Sequence, residues 1–131
     1  MREKPKAKLE VADFLEKVIN QSTYSQKEIA DMAGFNSPNI ITMLKQGLTK
    51  VPVERIPALA RVLDIDRVEF FELVMKSYRP KEYAVIVEIF GDPISDAERR
   101  IIRLLREVIP DGQLVNNTNH YRNKIRAALE N

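Results

Sequence analysis

Residues 25–47 read SQKEIADMAGFNSPNIITMLKQG, and their local chemistry describes two short helices joined by a tight turn. Ser25 followed three residues later by Glu28 is a capping box, in which the hydroxyl accepts the N3 amide and the carboxylate reaches back to the N-cap amide. Ile29, Ala30 and Ala33 give the first helix an apolar side, small enough at Ala30 for another backbone to approach. Gly34 is placed to end that helix in left-handed φ. Ser37 and Pro38 suit an N-cap and N1, since proline's missing N–H is an orphan donor at that position anyway. The second helix is expected to run to Lys45 or Gln46.

Advancing roughly 100° per residue from Ile41 puts Leu44 beside it and Asn39, Thr42, Met43 and Gln46 on the opposite side. One face packs and the other is offered outward. That outward face holds amides and a hydroxyl where a merely solvated helix would carry Lys and Glu. Asn and Gln are the side chains that pair bidentately with adenine in the major groove. Between Gly34 and Val53 there is no Asp or Glu, while Lys45 and Lys50 are present, so a phosphate backbone meets no repulsion there.

At these residues the chain resembles the Cro/C1-type (XRE-type) helix-turn-helix family of bacterial and phage DNA-binding regulators. The ordered signs are Ser25-Gln26-x-Glu28-x-Ala30-x3-Gly34, Ile41-x2-Leu44-x2-Gly47, Thr49-Lys50-x-Pro52 and Leu59-Ala60-x2-Leu63-x-Ile65, within residues 14–78. The span from Gly34 to Ile41 is one residue longer than in the lambdoid phage repressors. The resemblance implies that Gln26 meets a phosphate at the start of the first helix, that Asn39 and Met43 face bases, and that Gln46 and Lys50 grip the backbone. With the face assigned above, the candidate base-facing set is Asn39, Thr42 and Met43, and the candidate phosphate-facing set is Gln26, Ser37, Lys45, Gln46 and Lys50.

Outward from this stretch, Val11, Phe14, Leu15, Val18 and Ile19 recur at helical spacing and predict an amphipathic helix from Leu9 that covers the two-helix motif. Gln46 to Pro52 reads as a loop, and Pro57 belongs in the first turn of a fourth helix whose apolar side is Ile56, Leu59, Ala60, Val62 and Leu63. Asp66 with Glu69 caps a fifth, apolar over much of its surface through Val68, Phe70, Phe71, Leu73, Val74 and Met75, and expected to be the most buried. Phe70, Phe71 and Met75 read as core packing rather than a ligand pocket.

Residues 83–90, YAVIVEIF, suit a strand or a buried helix by periodicity; Pro80 ahead of them and the lack of any partner strand favour helix. Ser95 with Glu98 is a third capping box, ahead of Ile101, Ile102, Leu104, Leu105, Val108 and Ile109, with Arg99, Arg100, Arg103 and Arg106 on the wet side. Tyr121, Ile125 and Leu129 suggest a short closing helix with Arg122, Lys124 and Arg126 on its basic side, and His120 reads as a surface or capping residue. The expected organisation is all-α: a flexible basic arm over 1–8, a five-helix lambda-repressor-like helix-turn-helix domain over 9–80, and a smaller helical region over 81–131 that serves dimerisation.

The 131 residues are 44% hydrophobic and 31% charged, ordinary for a globular chain, and the net charge of +2 leaves the case for nucleic acid to the placement of charge. Without cysteine there is no disulfide, thiolate nucleophile or cysteine-ligated zinc, and a single histidine argues against a histidine metal site. No run approaches the ~18 apolar residues of a membrane span, and MREKPKAKLE lacks a signal-like apolar core, which reads as cytoplasmic. No catalytic constellation, cofactor site or metal site is expected. The expected partners are double-stranded DNA and a second copy of the chain, with no membrane and with any small-molecule effector left open. The rival reading is a protein-interaction module on the same scaffold, with Ile40, Met43 and Leu48 exposed, for instance the partner-binding half of a toxin-antitoxin pair.

Overall fold

The computed structural model describes residues 6–109, 122–124 and 126–127. Residues 6–109 form seven α-helices: α1 (Lys6–Gln21), α2 (Gln26–Met32), α3 (Asn39–Lys45), α4 (Ile56–Leu63), α5 (Arg67–Tyr78), α6 (Pro80–Phe90) and α7 (Asp96–Val108). A 3-10 turn, Val53–Arg55, leads into α4, and no strand occurs among the described residues. Residues 122–124 and 126–127 are helical, with Arg122, Lys124 and Arg126 exposed. Most of the expected basic arm, His120 and the apolar set Tyr121, Ile125 and Leu129 lie outside the described residues.

Local signals set most boundaries. The Ser25 hydroxyl accepts the Glu28 amide at 3.2 Å, and Asp66 accepts the amides of Val68 and Glu69 at 2.8 and 3.0 Å. The reciprocal half of the Ser25 box differs from expectation, because Glu28 accepts from the Ser25 hydroxyl and not from its amide. Ser95 and Glu98 make both halves. Pro38 is the residue before α3 and not its first, while the Ser37 hydroxyl accepts the Asn39 amide at 3.3 Å.

Three helices end on one geometry, in which an amide just past the helix donates to the carbonyl five positions back. Phe35 donates to the Ala30 carbonyl, Leu48 to Met43 and Ile65 to Ala60. Each needs a left-handed residue just before the donor. Gly34 (φ 81°) and Gly47 (φ 70°) supply it freely, whereas Asp64 (φ 54°) does so as a non-glycine residue.

The core is built by α1 to α5. Val11, Leu15, Ile29, Ile41, Leu44, Leu59, Phe70 and Val74 are essentially sealed from solvent, and Phe14 lies against Phe70 with ring centroids 5.8 Å apart. α1 begins at Lys6, ahead of the first apolar position, and buries Val11, Ala12, Leu15 and Ile19. The most buried helix is α4, with Ile56, Leu59, Ala60 and Leu63 inside, and not α5, which buries Phe70, Val74 and Met75 along a longer span. A narrow apolar stripe on a short helix is covered more completely than apolar residues spread around a helix.

The chain divides into two compact units, the first ending at Pro93 and the second beginning at Ile94. The first thus continues beyond residue 80, where the sequence pattern suggests an edge. The reason is Tyr83, buried on α6 and set edge-on to Phe71 of α5 at 6.4 Å, with the Lys76 ammonium 5.6 Å from its ring. Helix is the correct choice for residues 83–90, but a buried one is not: Val85, Ile89 and Phe90 are exposed.

Candidate nucleic-acid interface

The orientation of α3 is fixed from beneath. Ile41 and Leu44 are 0% and 1% exposed, so the opposite side of this two-turn helix must face out. Asn39, Thr42, Met43 and Gln46 are all exposed there. Ile40 is half-buried, and Met43 and Leu48 are the large apolar side chains left open on this part of the surface.

The first and second helices of the motif are joined on their outer side. The Thr42 hydroxyl donates to the Gln26 side-chain carbonyl at 2.9 Å, a bond that spans the turn and leaves Gln26 with its amide donors as the groups able to meet an anion. Gln26 and Thr42, assigned above to phosphate and base, are therefore one hydrogen-bonded pair. Ser37 is exposed and engaged as a cap for Asn39. Lys45 is half-buried and borders a cleft lined also by Asp13 and Glu16 of α1.

Lys50 is held differently. Its ammonium lies 5.3 Å from the centre of the Tyr78 ring, and the next amide, Val51, donates to the Tyr78 hydroxyl at 3.3 Å. Tyr78, in the last turn of α5, thus steers the exposed lysine while tying down the loop that carries it. Burial pushes the Tyr78 phenol up, partly opposed by the Val51 hydrogen bond, so it stays protonated at neutral pH. Arg55 is a second support: its guanidinium lies under the turn at Gly34 and 5.9 Å from the Phe35 ring. Neither residue stands out in the sequence, because each acts through a contact distant along the chain; the polar tip on an otherwise core-facing Tyr78 is the one available hint.

The segment 15–70, which runs from within α1 to the first turn of α5, matches the helix-turn-helix family model. It is a helix-turn-helix domain of the Cro/C1 (XRE) type. In the helix-turn-helix frame α2 is the first helix, α3 the recognition helix, and Gly34 lies in the turn between them. The family is one of DNA-binding regulators. No curated protein and no solved structure matches the chain. Among the described residues no three His, Cys, Asp or Glu side chains group as metal ligands, and no helix is long and apolar enough to cross a membrane.

Proposed function

We propose that the protein is a sequence-specific regulator of double-stranded DNA, acting as a dimeric repressor on a two-fold operator. The observation that carries this reading is the outward face of α3. It presents Asn39, Thr42, Met43 and Gln46 on a helix locked in place by Ile41 and Leu44, in a segment free of acids from Gly34 to Val53. Asn39 and Met43 contact bases, with Thr42 beside them. Gln26, Ser37, Gln46 and Lys50 contact phosphates, as does Lys45 from the rim nearer α1. A single motif of this kind reads only a few base pairs, so affinity and specificity call for two copies one helical turn apart.

The exposed Met43 and Leu48 support a rival reading in which the same surface docks a protein. A salt titration of binding to genomic DNA fragments separates the two. For DNA, log affinity falls linearly with log salt at about 0.9 per phosphate neutralised, and Lys50→Ala lowers that slope by about one. No retardation of DNA at low salt, together with a stable complex with a co-purifying protein, refutes DNA binding as the function.

A further inference from the structure

Helix α7 carries two apolar arcs that differ in exposure among the described residues. Ile102 and Leu105 are half-buried and Ile109 is buried, at positions i, i+3 and i+7. Beside them run Ala97, Ile101, Leu104 and Val108, spaced four, three and four; Ile101, Leu104 and Val108 are 58%, 61% and 79% exposed. That spacing is the a and d seam of a coiled coil, with Ile101 and Val108 at a and Ala97 and Leu104 at d. Among the described residues the Ile101–Leu104–Val108 arc stands open to solvent.

The charges bordering the seam select its occupant. Arg100 and Glu107 take the g positions, and Glu98 and Leu105 the e positions. Glu98 is already spent: it accepts from the Ser95 amide at 2.7 Å in the capping box. Arg100 and Glu107 are exposed and make no ion pair among the described residues. In a parallel pair of α7 helices Arg100 would lie against Leu105, with no charge to meet it. In an antiparallel pair, g positions face each other. Ile101 then packs on Leu104 of the second copy and Ala97 on its Val108, and Arg100 meets its Glu107 twice through the two-fold axis. Arg99, Arg103 and Arg106 fall at f and c, away from the seam, where their like charges stay solvated.

We infer that α7 pairs antiparallel with α7 of a second copy of this chain, through the Ile101–Leu104 layers and reciprocal Arg100–Glu107 contacts. This rests on the dimeric reading above and assigns it a helix, a direction and a register. A two-fold axis across α7 makes the interface isologous and closed, as a dimer requires.

The test is a charge exchange in the full chain, read as the dimer dissociation constant by analytical ultracentrifugation at low salt. Arg100→Glu alone and Glu107→Arg alone each turn two attractive contacts repulsive and should weaken the dimer about tenfold or more. The double exchange Arg100→Glu with Glu107→Arg restores both contacts and should return the constant to within about threefold of wild type. Arg106→Glu, away from the seam, should leave it unchanged. A dimer insensitive to both single exchanges, or not rescued by the double, overturns the antiparallel pairing while leaving the dimeric regulator standing. A full chain monomeric at tens of micromolar overturns both.

Discussion

Replacing Gly34 by alanine tests whether the turn of the motif is held as described. Two costs arise at once. An L residue in left-handed φ is disfavoured by roughly 1–2 kcal/mol, and the glycine sits at φ 81°. A Cβ there would stand 2.5 Å from Nη1 of Arg55, so the guanidinium must leave its place beneath the turn and beside the Phe35 ring. That displacement gives up a cation–π contact of about 0.5–1 kcal/mol. The sum is near 2 kcal/mol, or a fall in melting temperature of about 8–16 °C for a domain of this size. Thermal unfolding followed by circular dichroism measures it, and a double-mutant cycle with Arg55→Ala separates the parts. In the Arg55→Ala background the glycine substitution should cost about 1 kcal/mol less, because only the backbone penalty remains. Strict additivity, or a loss below about 0.5 kcal/mol, would refute the view that Arg55 occupies the space a side chain at 34 needs.

Asn39→Ala should leave folding intact, since the position is exposed and alanine has the better helix propensity, while operator affinity drops by about 1–3 kcal/mol and random-sequence binding hardly moves; the ratio of the two affinities is the readout, and an unchanged ratio transfers the leading contact to Thr42 or Met43. Asp64→Gly should stabilise the protein by about 0.5–1 kcal/mol in chemical denaturation, because α4 ends on a left-handed residue that glycine adopts without strain. The Ser95 amide, and then its hydroxyl, hold the Glu98 carboxyl below its ordinary value of 4.5, so the folded state favours the charged form. The resulting stability is present above the unfolded value and is lost as pH falls through the lowered folded one. Ser95→Ala should raise the Glu98 midpoint in an NMR titration part-way toward that ordinary value, and an unmoved midpoint would contradict the capping geometry.

The frame of the domain was legible because its signals act over a few residues. Ser25, Asp66 and Ser95 cap helices through amides two or three positions away, and Gly34 and Gly47 end them through carbonyls five positions back from the donor. The outward face of α3 followed from Ile41 and Leu44 alone. The end of α4 was harder, since Asp64 performs a glycine's task without a glycine's signature. The apolar content of α5 overstates its burial, because total apolarity says less than its angular spread. The supports of the site were illegible for a different reason. Thr42 meets Gln26 across 16 residues and Tyr78 meets Val51 across 27, and no periodicity encodes which polar tips a tertiary fold will bring together. The seam of α7 was visible as pattern, yet only the structure shows Ile101, Leu104 and Val108 to be exposed.

The bond between Thr42 and Gln26 also limits what Thr42 can say to a base. A threonine hydroxyl has one hydrogen to give, and here it is committed inward, to the Gln26 carbonyl. In the proposed docking of α3, Thr42 would offer the groove a lone pair and a methyl group. Such a side chain greets the amino hydrogens of adenine or cytosine and nestles against the methyl of thymine, but guanine, whose major-groove edge offers only acceptors, finds nothing to receive. In that docking the clasp that steadies the two helices would double as a filter, turning a residue of ambivalent hydrogen-bonding habit into one with a fixed vocabulary.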